Sequence, residues 1–265
     1  MTIPAVSLAP VPGAAFPVTL AAIRRSTRLV LRSPALLIAP VAQSLFFLLV
    51  YSGQLSTVGS SYLAGADFIS FLLPLILLTG VATGAGAAGT LVLRDVTSGY
   101  LDRLRLAHGT TIPFILGAVA AALVAVTVQM LITIAGAALI GYRPENWPGV
   151  IAMIVLMLVL GLGIALLGVA VAIRTTSPSS TNLVTLAVFG LSFFTGVFAP
   201  VNELAGWMRA IATINPLTYV IDAARQFEVG AASSALPIAL LVLGLLVCAG
   251  ITSSALALNH VRRNR

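Results

Sequence analysis

Six long apolar stretches without Asp, Glu, Lys, Arg or His dominate this chain of 265 residues. They run from Ala35 to Tyr51, Phe68 to Leu93, Pro113 to Gly141, Gly149 to Ile173, Asn182 to Pro200 and Leu236 to Leu258. The hydrocarbon core of a bilayer is about 30 Å thick and takes about 20 helical residues to cross. Each stretch therefore predicts a membrane span, and together they predict an all-α membrane protein with six transmembrane helices.

The arginines between these stretches predict an orientation. All 14 cations are arginines, and sorting the connecting segments by side places eleven on one face and three, Arg143, Arg209 and Arg225, on the other. Cations beside spans are retained in the cytoplasm, so both termini are predicted to be cytoplasmic, in the inner membrane of a bacterium. Topology and anionic lipid headgroups thus explain the net charge of +7, and nucleic-acid binding is not expected.

Composition excludes several kinds of chemistry. Only 8% of the residues are charged, which leaves no room for a soluble catalytic domain beside six spans. The chain contains no lysine, so it has no P-loop, whose lysine reaches the β- and γ-phosphates of ATP. If the protein depends on ATP, a separate subunit must bind the ATP and Mg²⁺, and no cofactor is expected in this chain.

Catalytic and metal-binding motifs are lacking as well. Cys248 is the single cysteine, and His108 and His260 have no ligand-spaced partner or carboxylate cluster, so neither a metal site nor a catalytic residue is predicted. Residues 1–17 contain four prolines and no basic residue, which predicts a flexible cytoplasmic tail. Residues 18–265 are predicted to form a single membrane domain.

The segment from Val18 to Ser33 has the pattern of an amphipathic helix. At 100° per residue, one arc of this helix carries four arginines, Arg24, Arg25, Arg28 and Arg32. Such a helix suits the cytoplasmic interface, with its cations toward lipid headgroups, until Ser33 and Pro34 turn the chain into the first span. The alternative is a plain cytoplasmic extension of that span.

The second span is rich in small residues. Gly80, Gly84 and Ala88 recur every four residues on one helical face, a spacing that favours close approach of a neighbouring helix. The spans contain no Asp, Glu, His, Lys or Arg, which disfavours a proton- or ion-coupled secondary transporter.

The longest cytoplasmic loop runs from Arg94 to Gly109 and alternates charged and apolar residues at helical spacing. It predicts a short helix that docks on a partner, although a solvated loop whose charges enforce topology fits the same composition. The candidate coupling residues are Arg94, Asp95, Gly99, Tyr100, Leu101, Asp102, Arg103, Leu104 and Arg105.

The outer segment from Val201 to Ala235 is too apolar to be a loose linker and is predicted to fold into short helices. The first helix is predicted to begin with a cap at Asn202 and Glu203, and the second with Asn215 as N-cap and Pro216 in its first turn. The candidate outer-gate residues are Glu203, Trp207, Asn215, Pro216, Tyr219, Asp222 and Arg225. Asp222 and Arg225 have i,i+3 spacing, which fits either weak surface pairing or a gating role.

Three of these segments, in this order, resemble the type-2 permeases of ABC transporters, most closely the membrane subunits of daunorubicin-resistance exporters. They are the stretch from Arg94 to Leu104, the stretch from Phe194 to Pro200, and the stretch from Asn215 to Arg225. Many relatives begin the first segment with Glu-Arg, whereas this chain has Arg94-Asp95.

The resemblance implies roles for the parts of the chain. The arginine-rich helix would be a connecting elbow, residues 94–105 a coupling helix seated on an ATPase, and residues 201–225 a cap over the exit. It further implies two copies of a separate P-loop ATPase and a permease dimer, formed with a second copy or a similar subunit.

The implied function is ATP-driven export of amphipathic drug-like molecules or lipids, with ATP hydrolysed by the partner. The spans support this cargo class because they offer an apolar path without charged groups. Export of polysaccharide or lipid-linked glycan is the alternative within the family. A membrane scaffold and a secondary transporter are the alternatives outside it.

Overall fold

The computed structural model describes residues 15–62, 68–100, 111–144, 146–196, 201–231 and 234–263. Within these ranges the chain forms nine α-helices and one short 3-10 turn, and no strand. The helices are α1 (Ala15–Leu31), α2 (Pro34–Tyr62), α3 (Phe68–Thr97), α4 (Ile112–Leu139), α5 (Trp147–Thr175), α6 (Pro178–Phe193), α7 (Gly206–Ile214), α8 (Pro216–Glu228) and α9 (Leu236–Arg263), and the 3-10 turn is Val201–Glu203.

Five of the helices, α2, α3, α4, α5 and α9, are long and apolar enough to cross a membrane. The fifth predicted span, from Asn182 to Pro200, contains α6, which ends at Phe193 after 16 residues. At 1.5 Å per residue this helix is about 24 Å long, shorter than a typical hydrocarbon core. The described helices therefore form a multi-pass membrane bundle, with α6 shorter than the other predicted spans.

Helix α3 lies at the centre of the bundle. Nearly all of its residues from Leu72 to Gly89 are buried, and it packs against α2, α4, α5, α6 and α8. A helix that is apolar all round is surrounded either by protein or by lipid, and these contacts show that protein surrounds α3. Helices α2 and α9, in contrast, expose most of their surface and lie at the edge of the bundle.

The small residues of α3 allow its neighbours to approach closely. A Cβ atom at Gly80 would overlap the Gln129 amide and the Ser44 hydroxyl, and one at Gly84 would lie 3.0 Å from Val126. The close approach predicted from the spacing of small residues is therefore present on the α2 and α4 side of α3.

Polar side chains link α2, α3 and α4 inside the bundle. The Gln129 amide, which is fully buried, donates to the Ser44 hydroxyl at 2.9 Å and to the Thr133 hydroxyl at 3.2 Å. Nearby, Thr83 of α3 donates to the Gln43 side chain of α2 at 2.8 Å. Such hydrogen bonds between helices stabilise packing where the surroundings cannot supply water.

Helix α1 ends at Leu31 and α2 begins at Pro34, so the predicted turn at Ser33 is present. Helix α1 also packs along α4, where a Cβ atom at Gly117 would lie 2.8 Å from the carbonyl carbon of Ala22. One side of α1 is thus attached to the bundle rather than to lipid.

Candidate functional site

The predicted site residues gather in two clusters. The inner cluster consists of Arg25, Asp95, Tyr100 and Phe114, and it joins α1 to the end of α3 and the start of α4. Its main contact is an ion pair in which Arg25 Nη2 lies 3.0 Å from Asp95 Oδ1 and Nη1 lies 3.4 Å from Oδ2. Each of the two guanidinium nitrogens thus faces one carboxylate oxygen. This paired arrangement fixes the orientation of the two side chains as well as the distance between them.

Two aromatic rings complete the inner cluster. The Arg25 guanidinium carbon lies 4.1 Å from the centre of the Tyr100 ring and 5.8 Å from that of Phe114. These distances are within the range of cation–π attraction. Gly99 has φ +67°, a left-handed conformation that favours glycine, and it lets the chain leave the axis of α3 immediately before Tyr100.

The environment keeps Arg25 charged. Burial lowers the pKa of Arg25, but the hydrogen bond and charge of Asp95 outweigh this effect, so the pKa is raised above its ordinary value. The guanidinium therefore stays charged, and it contacts residues of α1, α3 and α4 where the predicted coupling segment begins.

The other predicted residues at this end are distributed differently. Arg24, Arg28, Arg32 and Arg94 are exposed, whereas Asp95 is buried. The four arginines of α1 were predicted to form one arc that faces the headgroups. This prediction is wrong for Arg25, because Arg25 pairs with Asp95, 70 residues further along the chain, and so faces the protein. The remaining candidates, Leu101, Asp102, Arg103, Leu104 and Arg105, lie outside the described residues.

The outer cluster is centred on Arg225 of α8 and includes Phe71, Gly196, Asp222 and Asn215. Arg225 Nε donates to the Phe71 carbonyl at 3.0 Å, and Nη1 donates to the Gly196 carbonyl at 2.7 Å. The guanidinium carbon lies 3.6 Å from the centre of the Phe71 ring, and Nη1 lies 3.6 Å from Asp222 Oδ1. One side chain thus connects α8 with the start of α3 and with the chain that follows α6.

Burial dominates the electrostatics of the outer cluster. It lowers the pKa of Arg225 to about 10, against the opposing effects of the Asp222 and Glu228 charges. Burial also raises the pKa of Asp222, against the effect of Arg225. Arg225 remains charged at neutral pH. The surface-pairing interpretation is therefore wrong for Arg225, whose side chain is only 14% exposed.

Asn215 determines where α6 and α8 meet. Its Nδ2 donates to the carbonyls of Leu191 at 2.7 Å and Phe194 at 3.0 Å, while its Oδ1 accepts from the Leu217 N–H at 3.0 Å. The predicted N-cap, with Pro216 in the first turn, is confirmed. The same side chain thus supplements the Phe194 N–H, which also donates to the Leu191 carbonyl, at the end of α6.

The start of α7 differs from the prediction. This helix begins at Gly206, and its N-cap position is Ala205, which has no capping side chain, whereas Asn202 and Glu203 form the 3-10 turn. Arg209 donates from its guanidinium to the carbonyls of Asn202 and Leu204 and so holds that turn instead. The other two candidates lie on α7 and α8: Trp207 is 65% exposed, and the Tyr219 hydroxyl donates to the Thr213 carbonyl at 2.9 Å.

Three contributors were missed from the sequence, namely Phe71, Gly196 and Phe114. Phe71 and Phe114 meet their arginines through contacts between distant segments, and no local pattern marks them. Gly196 lies in the stretch from Phe194 to Pro200, but nothing in that stretch singles it out as a partner of Arg225. Among the described residues, no group of three or more His, Cys, Asp and Glu could hold a metal ion. In both clusters an arginine contacts an aromatic ring and a carboxylate, and Arg225 also bonds two backbone carbonyls. These contacts connect helices that are distant in the sequence.

Comparison with known proteins identifies a family and several relatives. The family model of the ABC-2 type transporter matches residues 17–229, a range that includes both clusters. Over 208 residues the chain is 24% identical to the daunorubicin resistance ABC transporter permease protein DrrB1 of Streptomyces coeruleorubidus, covering 75% of this chain and 70% of that protein.

Two algal relatives are similar over nearly the same length. The transport permease ycf38 of Pyropia yezoensis is 27% identical over 213 residues, covering 75% of this chain and 70% of the relative. Its counterpart in Porphyra purpurea is 27% identical over 207 residues, covering 73% and 68%. The resemblance drawn from the sequence is confirmed: this chain belongs to the ABC-2 type transporter family.

Proposed function

We propose that this chain is the membrane permease subunit of an ATP-driven exporter, and that a separate subunit hydrolyses the ATP. Membership of the ABC-2 family supports a transport subunit of an ABC transporter. The observation that carries the finer proposal is the Arg25–Asp95 contact, because it joins the elbow helix α1 to the point where the predicted coupling segment leaves α3.

The coupling step follows from that contact. Residues 94–105 rest on the ATPase, and ATP-driven closure of the ATPase displaces them. Arg25 holds Asp95 and Tyr100 together, so a displacement of the segment moves α1 and the central helix α3 as one unit. Because α3 packs against five other helices, its movement repacks the bundle.

The outer cluster serves as the exit gate in this proposal. Arg225 ties α8 to the start of α3 and to the chain after α6, so movement of α3 acts on the exit through Phe71. ATP binding on the partner shifts the bundle between two packings, one with the exit closed and one with it open.

We further propose six crossings with both termini in the cytoplasm, from the distribution of arginines. Helix α6 is the short crossing, and the outer helices α7 and α8 cover its end through Asn215. Residues 18–265 form the single membrane domain, and residues 1–17 extend from it.

The proposed cargo is an amphipathic drug-like molecule or lipid. Four rings cluster between α2 and α6: Phe47 lies 5.3 Å from Tyr51, 6.2 Å from Phe189 and 6.1 Å from Phe193 between ring centres. Such rings form an apolar, stacking surface without charge. The relative from Streptomyces is named for daunorubicin resistance, which favours a similar cargo class here.

The complex contains two permease chains, identical or similar, and two copies of the ATPase. ATP and Mg²⁺ bind the ATPase, and no catalytic residue is assigned to this chain. Membrane lipids surround the exposed apolar side chains of α2, α6 and α9.

Purification tests this proposal. The tagged chain is extracted from its host in mild detergent, co-purifying proteins are identified by mass spectrometry, and vanadate-sensitive ATPase activity is measured with and without daunorubicin. A P-loop ATPase in near-equal amount, stimulated by the drug, supports the exporter. If only a lipid-linked glycan stimulates the ATPase, the cargo is a glycan and not a drug-like molecule. If the intact permease purifies without any ATPase, the exporter proposal is contradicted, and a scaffold or a secondary transporter is favoured.

A further inference from the structure

Helix α8 carries two carboxylates and one arginine on a single face. Asp222, Arg225 and Glu228 follow each other at i, i+3 and i+6, so each acid lies about 60° from the arginine, one on either side. The side chain of Arg225 is 14% exposed, and Glu228 is 5% exposed with both carboxylate oxygens shielded from solvent. The charges of both acids act on Arg225. The outer cluster thus brings two possible negative charges to one positive charge.

A single guanidinium does not balance both acids. Arg225 donates to the carbonyls of Phe71 and Gly196, and its Nη1 lies 3.6 Å from Asp222, which is longer than a hydrogen bond. Removing a second carboxylate from water is strongly unfavourable unless that group is paired or protonated. Burial raises the pKa of Asp222, in agreement with uptake of a proton. One proton on either acid restores the balance of charge.

Four of the helices that pack against α8 have no charged side chain over nearly their whole length. The uncharged ranges are 68–93 of α3, 147–173 of α5, 178–193 of α6 and 236–258 of α9. Arg209 of α7 and Arg143 before α5 are exposed, and both donate to backbone carbonyls near them in the chain. The other titratable groups in the described outer segments are Tyr142, Glu203 and Tyr219. Asp67 and Glu145 lie outside the described residues.

We propose that the outer cluster holds one proton, shared by Asp222 and Glu228, while the exit is closed, and releases it to the outer side when the exit opens. This inference rests on the proposed function, in which α3 acts on the exit through Phe71. Opening brings water to both acids, and water stabilises their charged forms. The proton leaves and returns on one side, so no proton is transported and ATP remains the energy source. Acid on the outer side therefore favours the closed exit.

Infrared spectroscopy of the purified full-length permease tests for the proton without the ATPase or any cargo. A protonated carboxyl group has a C=O band that is separate from the bands of a carboxylate. We expect this band at neutral pH, and we expect Asp222→Asn and Glu228→Gln each to remove it, because one acid and one guanidinium balance without a proton. Glu203→Gln, at an exposed acid, is the matched control and should keep the band. Asp67→Asn and Glu145→Gln should keep it as well.

Three infrared results overturn the proposal. A parent protein without the band at neutral pH has both acids ionised, and this reading needs no substitution, so it is independent of how the variants fold. Loss of the band in only one of the two α8 variants means a single protonated acid and not a shared proton. Loss of the band in Asp67→Asn or Glu145→Gln assigns the proton to another part of the chain.

The link to the exit is tested in inside-out vesicles, whose lumen faces the outer side of the permease. Vanadate-sensitive ATP hydrolysis with daunorubicin is measured while the lumen is set between about pH 5 and about pH 8. Release of one proton on opening should slow hydrolysis by up to about tenfold for each unit of acidification. Both α8 variants should lose this dependence and Glu203→Gln should keep it.

Equal pH profiles for the parent and Glu228→Gln would overturn the link between the proton and the exit. Absence of ATP hydrolysis in the parent vesicles would contradict the exporter proposal instead. The infrared band decides the shared proton in either case, so the two failures are distinguishable.

Discussion

Arg225 donates a hydrogen bond to the backbone carbonyl of Phe71, 154 residues away in the chain, and its guanidinium stacks on the ring of the same residue. The donor belongs to a short helix in the outer segment and the acceptor to the start of the central helix. Gly196 accepts a second hydrogen bond from the same guanidinium, so α8, α3 and the chain after α6 share one side chain.

Replacing Arg225 by alanine should destabilise the permease strongly. The variant loses both carbonyl contacts and leaves the half-buried Asp222 without its ion-pair partner, at a cost of about 3 kcal/mol. Thermal unfolding of the purified chain in detergent measures the loss. Arg143→Ala, at an exposed arginine, is the matched control. Equal unfolding midpoints for the two variants would mean that Arg225 contributes no more than a weak surface pair.

Asp222 should make stability depend on pH. Burial raises the pKa of Asp222 above its ordinary value of 3.8. At pH values between the ordinary pKa, which applies to the unfolded chain, and the raised pKa of the folded chain, the folded state binds more protons than the unfolded state. The free energy of unfolding therefore falls as the pH rises through this range. Asp222→Asn should remove this dependence, which unfolding midpoints from about pH 4 to about pH 7 would reveal. Identical pH profiles of variant and parent would contradict the assignment.

Arg25→Ala should weaken association with the ATPase more than Arg24→Ala. Arg25 orients Asp95 and Tyr100, whereas the neighbouring Arg24 is exposed. Because Arg25 is partly exposed, its ion pair contributes about 1 kcal/mol at most, equivalent to about a fivefold loss of association. The ATPase recovered per permease in a pull-down measures the effect. If both variants recover equal amounts, the inner cluster has no part in coupling.

Changes in the coupling segment should abolish transport and leave membrane insertion intact. Leu101 and Leu104 changed to Asp, or charge reversal at Asp102 and Arg103, should disrupt the surface that rests on the ATPase. Insertion is followed by the amount of full-length chain in washed membranes, and docking by co-purification. Normal ATPase association in these variants would exclude a docking role for the segment.

Gly80→Ala should destabilise the bundle, because its Cβ atom would overlap the Gln129 amide and the Ser44 hydroxyl. Overpacking of this kind costs about 1–3 kcal/mol. Gly244→Ala in α9 is the control, since no atom lies within 4 Å of that position, and helix propensity favours alanine there by about 1 kcal/mol. The midpoint of thermal unfolding should therefore fall for Gly80→Ala and rise for Gly244→Ala. A shift of the same sign in both variants would contradict the close packing at Gly80.

The sequence predicted the features that local patterns encode. Apolar stretches marked the helices, Ser33 and Pro34 marked the turn into α2, and Asn215 with Pro216 marked the start of α8. It failed where a distant partner overrides the local pattern. Asp95 pairs with Arg25 and so removes it from the arc that faces the headgroups. Helix α6 ends at Phe193, before the apolar stretch ends, and Asn215 donates to the carbonyls of Leu191 and Phe194 at that point.

Residue roles were less predictable than helices. The spacing of Asp222 and Arg225 indicated a pair, but the burial of Arg225 depends on Phe71 and Gly196, which no pattern near either residue reveals. The cap predicted at Asn202 and Glu203 failed for a local reason. These residues form a separate 3-10 turn before α7, and Arg209, seven residues after Asn202, donates to the Asn202 and Leu204 carbonyls.

The most direct test of the account is ATP-dependent transport in inside-out membrane vesicles that contain the permease and its ATPase. Accumulation of daunorubicin is followed by fluorescence with ATP, with ATP plus vanadate, and with a proton gradient alone. The account predicts accumulation that requires ATP, stops with vanadate and is lost when Leu101 and Leu104 are changed to Asp. Accumulation that a proton gradient drives without ATP, or that survives those two substitutions, would contradict it.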